Sequence, residues 1–218
     1  MAQEGGTVII CSRKADNLKE ALDKVKGLKI EGYTCNIGKK EERQKLVDLI
    51  AQKYGRIDVL VCNQASSTFF GTQMDITEGA YDKMWDLNVK SIFFLIKECK
   101  ELLIKAGPGA NVLILSSVAG KWPSPFLGVY DMTKAALDNM IIWLSKEFMD
   151  LGIRVNGLAP GLITTKLSEV LWKDNNTTPE KAKGVPEQIG SVAATMCSKD
   201  GSFINGETYY VHGGYPQL

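Results

Sequence analysis

Tyr130-Asp131-Met132-Thr133-Lys134 sets a phenol and an amine four residues apart, which on a helix brings both side chains to one face. An ammonium beside a phenol stabilises the phenolate, so such a pair can trade a proton near neutrality despite an ordinary phenol pKa of about 10. The same stripe runs on through Leu137, Ile141, Leu144 and Phe148. A helix packed in a core shows that pattern too, so spacing alone leaves acid/base chemistry and core packing both open. Ser116 and Ser117 end the apolar run ANVLILSS, ahead of the pair. A hydroxyl at the carboxyl end of a parallel strand can hold a substrate oxygen, and two serines there are also an ordinary turn signal. Asn88 lies within WDLNVKSIFFLI, where an amide is a poor helix-interior residue whose polar atoms need partners. A water relay to Lys134 would supply them, and so would the bonds of a core amide that merely kinks the helix.

The elements that must position these groups alternate along the chain. Short apolar runs fall at 7–12, 28–37, 57–64, 110–117, 153–160 and 206–214, with helical patterns near 15–26, 39–54, 77–105, 126–150 and 187–197 between them. Runs that are continuously apolar suit strands covered on both faces. The reading is α/β: a doubly wound, Rossmann-type parallel sheet in a single domain spanning 1–218, with ligand sites at the carboxyl ends of the strands. The stretch 173–187, KDNNTTPEKAKGVPE, reads as a surface excursion of the kind that covers a substrate site.

Composition narrows the partners. The 218 residues carry 26 Lys and Arg against 25 Asp and Glu, a net charge of +1. No basic stripe marks a nucleic-acid or anionic-membrane footprint, no apolar run is long enough to span a membrane, and the first residues lack the layout of a signal peptide. The five cysteines (Cys11, Cys35, Cys62, Cys99, Cys197) contain no CxxC pair and sit mostly in apolar runs. They read as buried reduced thiols in a cytoplasmic protein without a metal site. The ending Pro216-Gln217-Leu218 does not support a peroxisomal address. His212 reads as structural, and Asp58 carries no assigned role.

With these residues in view, the sequence resembles the short-chain dehydrogenase/reductase family over nearly its whole length. Cys62-Asn63-Gln64-Ala65-Ser66 resembles that family's NNAG segment, departing from it at Gln64 and Ser66. Asn88 in LNVKS, Ser117, Tyr130 and Lys134 resemble its catalytic tetrad. Ala159-Pro160-Gly161-Leu162-Ile163-Thr164-Thr165 resembles the stretch that contacts the nicotinamide, and Asn205-Gly206-Glu207 with Gly213-Gly214 resembles its C-terminal strand. The phrases CSRK, STFFG, APGLI and VLWKD are similar to the family member 4 group and its tropinone-reductase-like relatives, which reduce carbonyls with NADPH.

The resemblance implies that Tyr130 protonates a carbonyl oxygen held by Ser117, while Lys134 lowers the tyrosine pKa and grips the nicotinamide ribose. It implies cofactor contacts at Ser12, Arg13, Asn36, Ile37, Asn63, Ala65, Tyr130, Lys134, Pro160, Gly161, Ile163 and Thr165. The expected cofactor is NADP(H), because Ser12-Arg13-Lys14 stands where an acidic residue would bond a 2′-hydroxyl, and basic side chains suit a 2′-phosphate. Asn36 replaces the Asp expected at the adenine contact. A homodimer or homotetramer acting on a small carbonyl or alcohol is the implied assembly, and Trp122, Pro123, Phe126, Leu167 and Trp172 suggest an apolar pocket.

One departure is large. The chain contains no TGxxxGxG turn, the Gly-rich loop that seats a pyrophosphate on a helix N-terminus. About thirty residues, the family's first and central strand with its helix, are read as absent. The strands that flank that position must then pair directly or leave the sheet interrupted, with a compromised fold and weaker cofactor binding expected. Two functions follow: an NADPH-dependent reductase of ketones or aldehydes, or a catalytically weak family member acting as a binding or assembly partner. The intact tetrad favours the first.

Overall fold

The computed structural model describes residues 1–173 and 182–216. Residues 174–181, within the stretch expected to be a surface excursion, and Gln217 and Leu218 lie outside the described residues. The chain divides into two compact units, Met1–Gly55 and Arg56–Leu218.

In the first unit, β1 (Val8–Ser12) and β2 (Ile30–Thr34) form a two-stranded parallel sheet with Ser12 opposite Thr34. Helix α1 (Ala15–Lys24) follows β1, and α2 (Lys40–Tyr54) follows β2. Gly32 lets α1 lie against β2, since a Cβ there would fall 2.7 Å from Leu18 and 2.9 Å from Leu22 side-chain atoms. Cys35 N–H donates to Ser12 O at 2.9 Å, which keeps the two strand ends together.

The second unit holds β3 (Val59–Cys62), α3 (Glu78–Trp85), α4 (Ser91–Ala106), β4 (Asn111–Leu115), α5 (Gly128–Glu147), β5 (Arg154–Pro160), α6 (Glu169–Trp172), α7 (Pro186–Cys197) and β6 (Thr208–Val211). Its sheet runs β3-β4-β5-β6 with every neighbour parallel. Leu113 and Leu158 pack with Met196 of α7 on one face, while Gly157 meets Ile141 of α5 on the other. Both faces are covered, which explains the unbroken apolar runs of β4 and β5. Among the described residues no helix is long and apolar enough to cross a membrane.

Gly157 marks how tightly α5 is seated. A Cβ there would lie 2.4 Å from Ile141 Cδ1 and 2.6 Å from Thr208 Oγ1. We expect Gly157→Ala to cost about 1–3 kcal/mol by overpacking, read as a lowered midpoint in denaturant unfolding; an unchanged midpoint would contradict this packing.

All six apolar runs form strands and all five helical patterns form helices. The 77–105 pattern forms one unbroken helical run, with a π-turn at Asp86–Lys90 set between α3 and α4. The strands form two sheets, β1 paired with β2 in the first unit and β3 at the edge of the four-stranded sheet of the second. Among the thiols, Cys35, Cys62 and Cys99 are buried as expected, but Cys11 is exposed.

Candidate active site

The carboxyl ends of β3, β4 and β5 open onto a cavity of about 630 Å³. The expected residues Asn63, Ala65, Ser117, Tyr130, Lys134, Pro160, Gly161, Ile163 and Thr165 all line it. Each arrives on a strand end or on the first turns of α5, which is where open α/β sheets place their ligands. Apolar side chains of Val61, Phe69, Phe70, Leu127, Leu162 and Leu167 supply much of the remaining wall, and among the described residues Lys134 is the one charged side chain that lines it.

Ser117 caps the short 3-10 turn Val118–Gly120, its Oγ accepting from Ala119 N–H at 3.2 Å. That turn presses on α5: a Cβ on Gly120 would lie 2.9 Å from Lys134 C and 2.8 Å from Asp138 Oδ2. The Ser117 hydroxyl and the Tyr130 phenol line the same cavity. Burial pushes the Tyr130 pKa up to about 12, opposed by the Ser117 hydroxyl and reinforced by Asp131. The phenol is therefore fully protonated at neutral pH, the form a proton donor needs.

Lys134 is only 2% exposed. Its Nζ donates to Leu115 O at 2.7 Å and stands 5.5 Å from the Tyr130 ring centroid. Burial pulls its pKa down to about 8, and the nearby Asp138 carboxylate opposes that fall. Asp138 is itself pushed up by burial, and its Oδ2 accepts from Tyr210 OH at 3.2 Å. The expectation that Lys134 depresses the Tyr130 pKa is not met in this arrangement, because desolvation outweighs every other influence on the phenol.

Asn88 is completely buried. Its Oδ1 accepts from Ser66 N–H at 2.7 Å, and its Nδ2 donates to Ser66 O at 2.9 Å and to Thr133 Oγ1 at 3.0 Å. The amide thus ties the loop after β3 to α5 one residue from Lys134, and its side chain has no hydrogen bond to Lys134. It sits at the centre of the π-turn, a helix irregularity frequent at functional sites.

In the first unit, Ser12 and Arg13 follow β1, with Arg13 exposed, and Asn36 and Ile37 follow β2. Asn36 N–H donates to Glu42 Oε2 at 2.6 Å, its Oδ1 accepts from Gly38 N–H at 3.1 Å, and Ile37 is buried. The buried Arg43 donates to Ile37 O at 2.8 Å and holds that turn.

Of the aromatic and apolar residues expected in the pocket, only Leu167 lines the cavity. Trp122 packs edge-on against Tyr210 and His212, Phe126 stacks on Phe70, and Trp172 Nε1 donates to Thr165 O at 3.1 Å. The wall residues that sequence reasoning missed, Phe69 and Phe70, lie in STFFG just past β3. Two adjacent aromatics in the loop that leaves a strand's carboxyl end were the signal that could have found them.

Comparison with known proteins agrees with this architecture. A family model described as enoyl-(acyl carrier protein) reductase matches residues 1–216. Dehydrogenase/reductase SDR family member 4 of Bos taurus is 40% identical over 223 residues, covering 98% of this chain and 80% of that protein. Tropinone reductase-like 3 of Erythroxylum coca is 34% identical over 222 residues, covering 98% of this chain and 84% of its own. Among solved structures, a 7α-hydroxysteroid dehydrogenase complexed with NADH and 7-oxo glycochenodeoxycholic acid superposes with a TM-score of 0.89 at 26% identity, covering 100% of this chain and 88% of that one. The chain belongs to the short-chain dehydrogenase/reductase family of oxidoreductases. Its relatives within that family include the family member 4 proteins and the tropinone-reductase-like proteins.

Proposed function

We propose that this chain is an NADP(H)-dependent reductase of ketones or aldehydes, able also to oxidise the corresponding alcohols. The observation that carries this reading is a protonated phenol, Tyr130, lining one apolar cavity with the Ser117 hydroxyl and the buried amine of Lys134.

The residues present fit a nicotinamide nucleotide. Polar groups of Asn63, Tyr130, Lys134 and Thr165 converge on the cavity, and these donors and acceptors suit a ribose and a carboxamide. Arg13 and Lys14 follow β1 with their charges exposed, suited to a 2′-phosphate. When bound, the nucleotide supplies the hydride that reaches the carbonyl carbon. Ser117 holds the carbonyl oxygen by a hydrogen bond, and Tyr130 delivers its phenolic proton to that oxygen as negative charge develops there. Lys134, protonated below pH about 8, stabilises the phenolate that remains. The apolar wall excludes water and favours an uncharged, bulky carbonyl compound.

The experiment is a fluorescence titration of the chain with NADPH and NADH, followed by turnover of a carbonyl panel. Micromolar NADPH binding, tighter than NADH, with consumption of the nucleotide on adding a ketone supports the reading. A folded chain that binds neither nucleotide overturns it. We expect Arg13→Ala to weaken NADPH binding about tenfold, the value of one charge-assisted phosphate contact, with NADH binding nearly unchanged. Equal loss for both nucleotides would mean that Arg13 does not read the 2′-phosphate.

A second reading is a weakly catalytic binding or assembly partner that forms homodimers or homotetramers. Nucleotide binding with no turnover of any carbonyl would favour it.

A further inference from the structure

Between β3 and α3 the chain passes along the cavity, carrying Phe69 and Phe70 in the wall. At the end of this passage Gln73 opens a short 3-10 turn, Gln73–Asp75. Its side chain spans to the start of α5. Nε2 donates to Gly71 O at 2.9 Å and to Phe126 O at 2.8 Å, while Oε1 accepts from Val129 N–H at 3.0 Å. Both amide hydrogens and the amide oxygen are used. The orientation is fixed by the partners, since two carbonyls require donors and one N–H requires an acceptor.

The contact is continued by main chain and by rings. Gly71 N–H donates to Phe126 O at 3.2 Å, and the Phe70 and Phe126 rings stack with centroids 5.7 Å apart. Gly128 is glycine at the one place where the Gln73 stem needs room, because a Cβ there would stand 3.1 Å from Gln73 Cγ.

Val129 N–H is one of the first amides of α5, which a helix leaves without an internal partner. Leu127 at the N-cap offers no side-chain bond, so Gln73 does the capping from outside the helix. Tyr130 is the next residue. One side chain therefore touches both the turn that presents the phenol and the loop that presents the aromatic wall.

We propose that Gln73 is a positioning and specificity-determining residue: its oxygen fixes the first turn of α5, and its NH₂ group fixes the Phe69–Phe70 wall. This rests on the reductase reading of the same cavity. Gln73 touches no reacting atom. It acts through Tyr130 on the rate and through the two phenylalanines on which carbonyl compounds are accepted.

Two substitutions separate the halves. Gln73→Glu keeps an acceptor for Val129 N–H but turns a carboxylate toward the Gly71 and Phe126 carbonyl oxygens, so it breaks the tie between loop and helix entry while the helix amide keeps its partner. Gln73→Met keeps the length and loses both halves. Steady-state kinetics with a small aliphatic ketone and a bulky aromatic ketone, and amide hydrogen exchange at Gly71 and Val129, read the two effects. In both variants the KM for the bulky ketone is expected to rise about tenfold relative to the small one, the effect of losing one or two hydrogen bonds that order the loop. The kcat on the small ketone is expected to fall about tenfold in Gln73→Met and by less than about threefold in Gln73→Glu. The Gly71 amide exchanges faster in both variants, and the Val129 amide only in Gln73→Met.

Parallel changes in kcat and KM for the two variants, or exchange at both amides equal to that of the parent chain, overturn the proposal. If the parent chain reduces no carbonyl at all, it is the reductase reading that fails. The exchange pattern then still decides whether Gln73 holds the helix turn and the wall.

Discussion

Tyr130→Phe is expected to lower kcat for carbonyl reduction by about 10²–10⁴-fold, the usual contribution of a positioned proton donor. The substitution removes one oxygen and leaves the ring, so packing around α5 is preserved. Ser117 keeps its bond from Ala119 N–H at 3.2 Å, and the stability change should stay within about 1.5 kcal/mol. The proton at stake is present throughout the neutral range, because burial pushes the phenol pKa up to about 12. Nucleotide binding should persist, since the phenol is one contact among several. The check is kcat under saturating nucleotide, alongside thermal unfolding and a nucleotide titration. Activity within about threefold of the parent would remove Tyr130 from the chemistry.

Lys134→Met should separate activity from stability. The ammonium is 2% exposed, and burial pulls its pKa down from 10.5 to about 8. Between those two pH values the unfolded chain holds a proton that the folded chain has released. Stability of the parent therefore rises as pH increases through that window, and the burial cost of the charged form is fully present below pH about 8. Tyr130 acts in the opposite sense only above its ordinary value of 10, where the folded chain holds the extra proton and stability falls with rising pH. Burial pushes the Cys99 and Cys197 thiols from 9.0 up to about 12 and about 11, so they too oppose the gain above pH 9, and it is the difference between the parent and Lys134→Met slopes that isolates Lys134. We expect Lys134→Met to lose activity by about 10²-fold or more, to be no less stable than the parent at pH 7, and to show a less positive stability slope than the parent between pH 8 and 10. Denaturant unfolding at pH 7, 8, 9 and 10 on both chains measures this. An identical pH slope for the two would show that Lys134 titrates as a solvated amine.

Much of this architecture was legible in the residues themselves. Continuous apolar runs demand cover on both faces, and VLIL of β4 and VNGLA of β5 found it in α5 and α7. The Ser117, Tyr130 and Lys134 constellation was readable because strand end and helix spacing are local properties. The π-turn at Asn88 was half legible: the sequence showed an amide that needed partners, and only the fold could assign them to Ser66 and Thr133. The Tyr130 pKa was not legible, since a Lys four residues away is visible in sequence and desolvation is not. The pocket wall was misread for a related reason. Trp122 and Phe126 are near Tyr130 in sequence, yet Tyr210 and His212 draw the first away and Phe70 takes the second. Large side chains in loops point where distant elements offer surface, and nothing local records that. Gln73 escaped for the same cause, its partners Phe126 and Val129 lying far along the chain.

The central claim is that this cavity transfers hydride to a carbonyl carbon and a proton from Tyr130 to its oxygen. The most direct measurement is incubation of the chain with NADPH deuterated at the transferable nicotinamide position and an apolar ketone, with the product alcohol examined by mass spectrometry. The prediction is an alcohol carrying one deuterium on the former carbonyl carbon, formed by the parent chain and reduced at least about a hundredfold in Tyr130→Phe. A folded chain that binds NADPH but yields no deuterated alcohol from any member of the panel would contradict it.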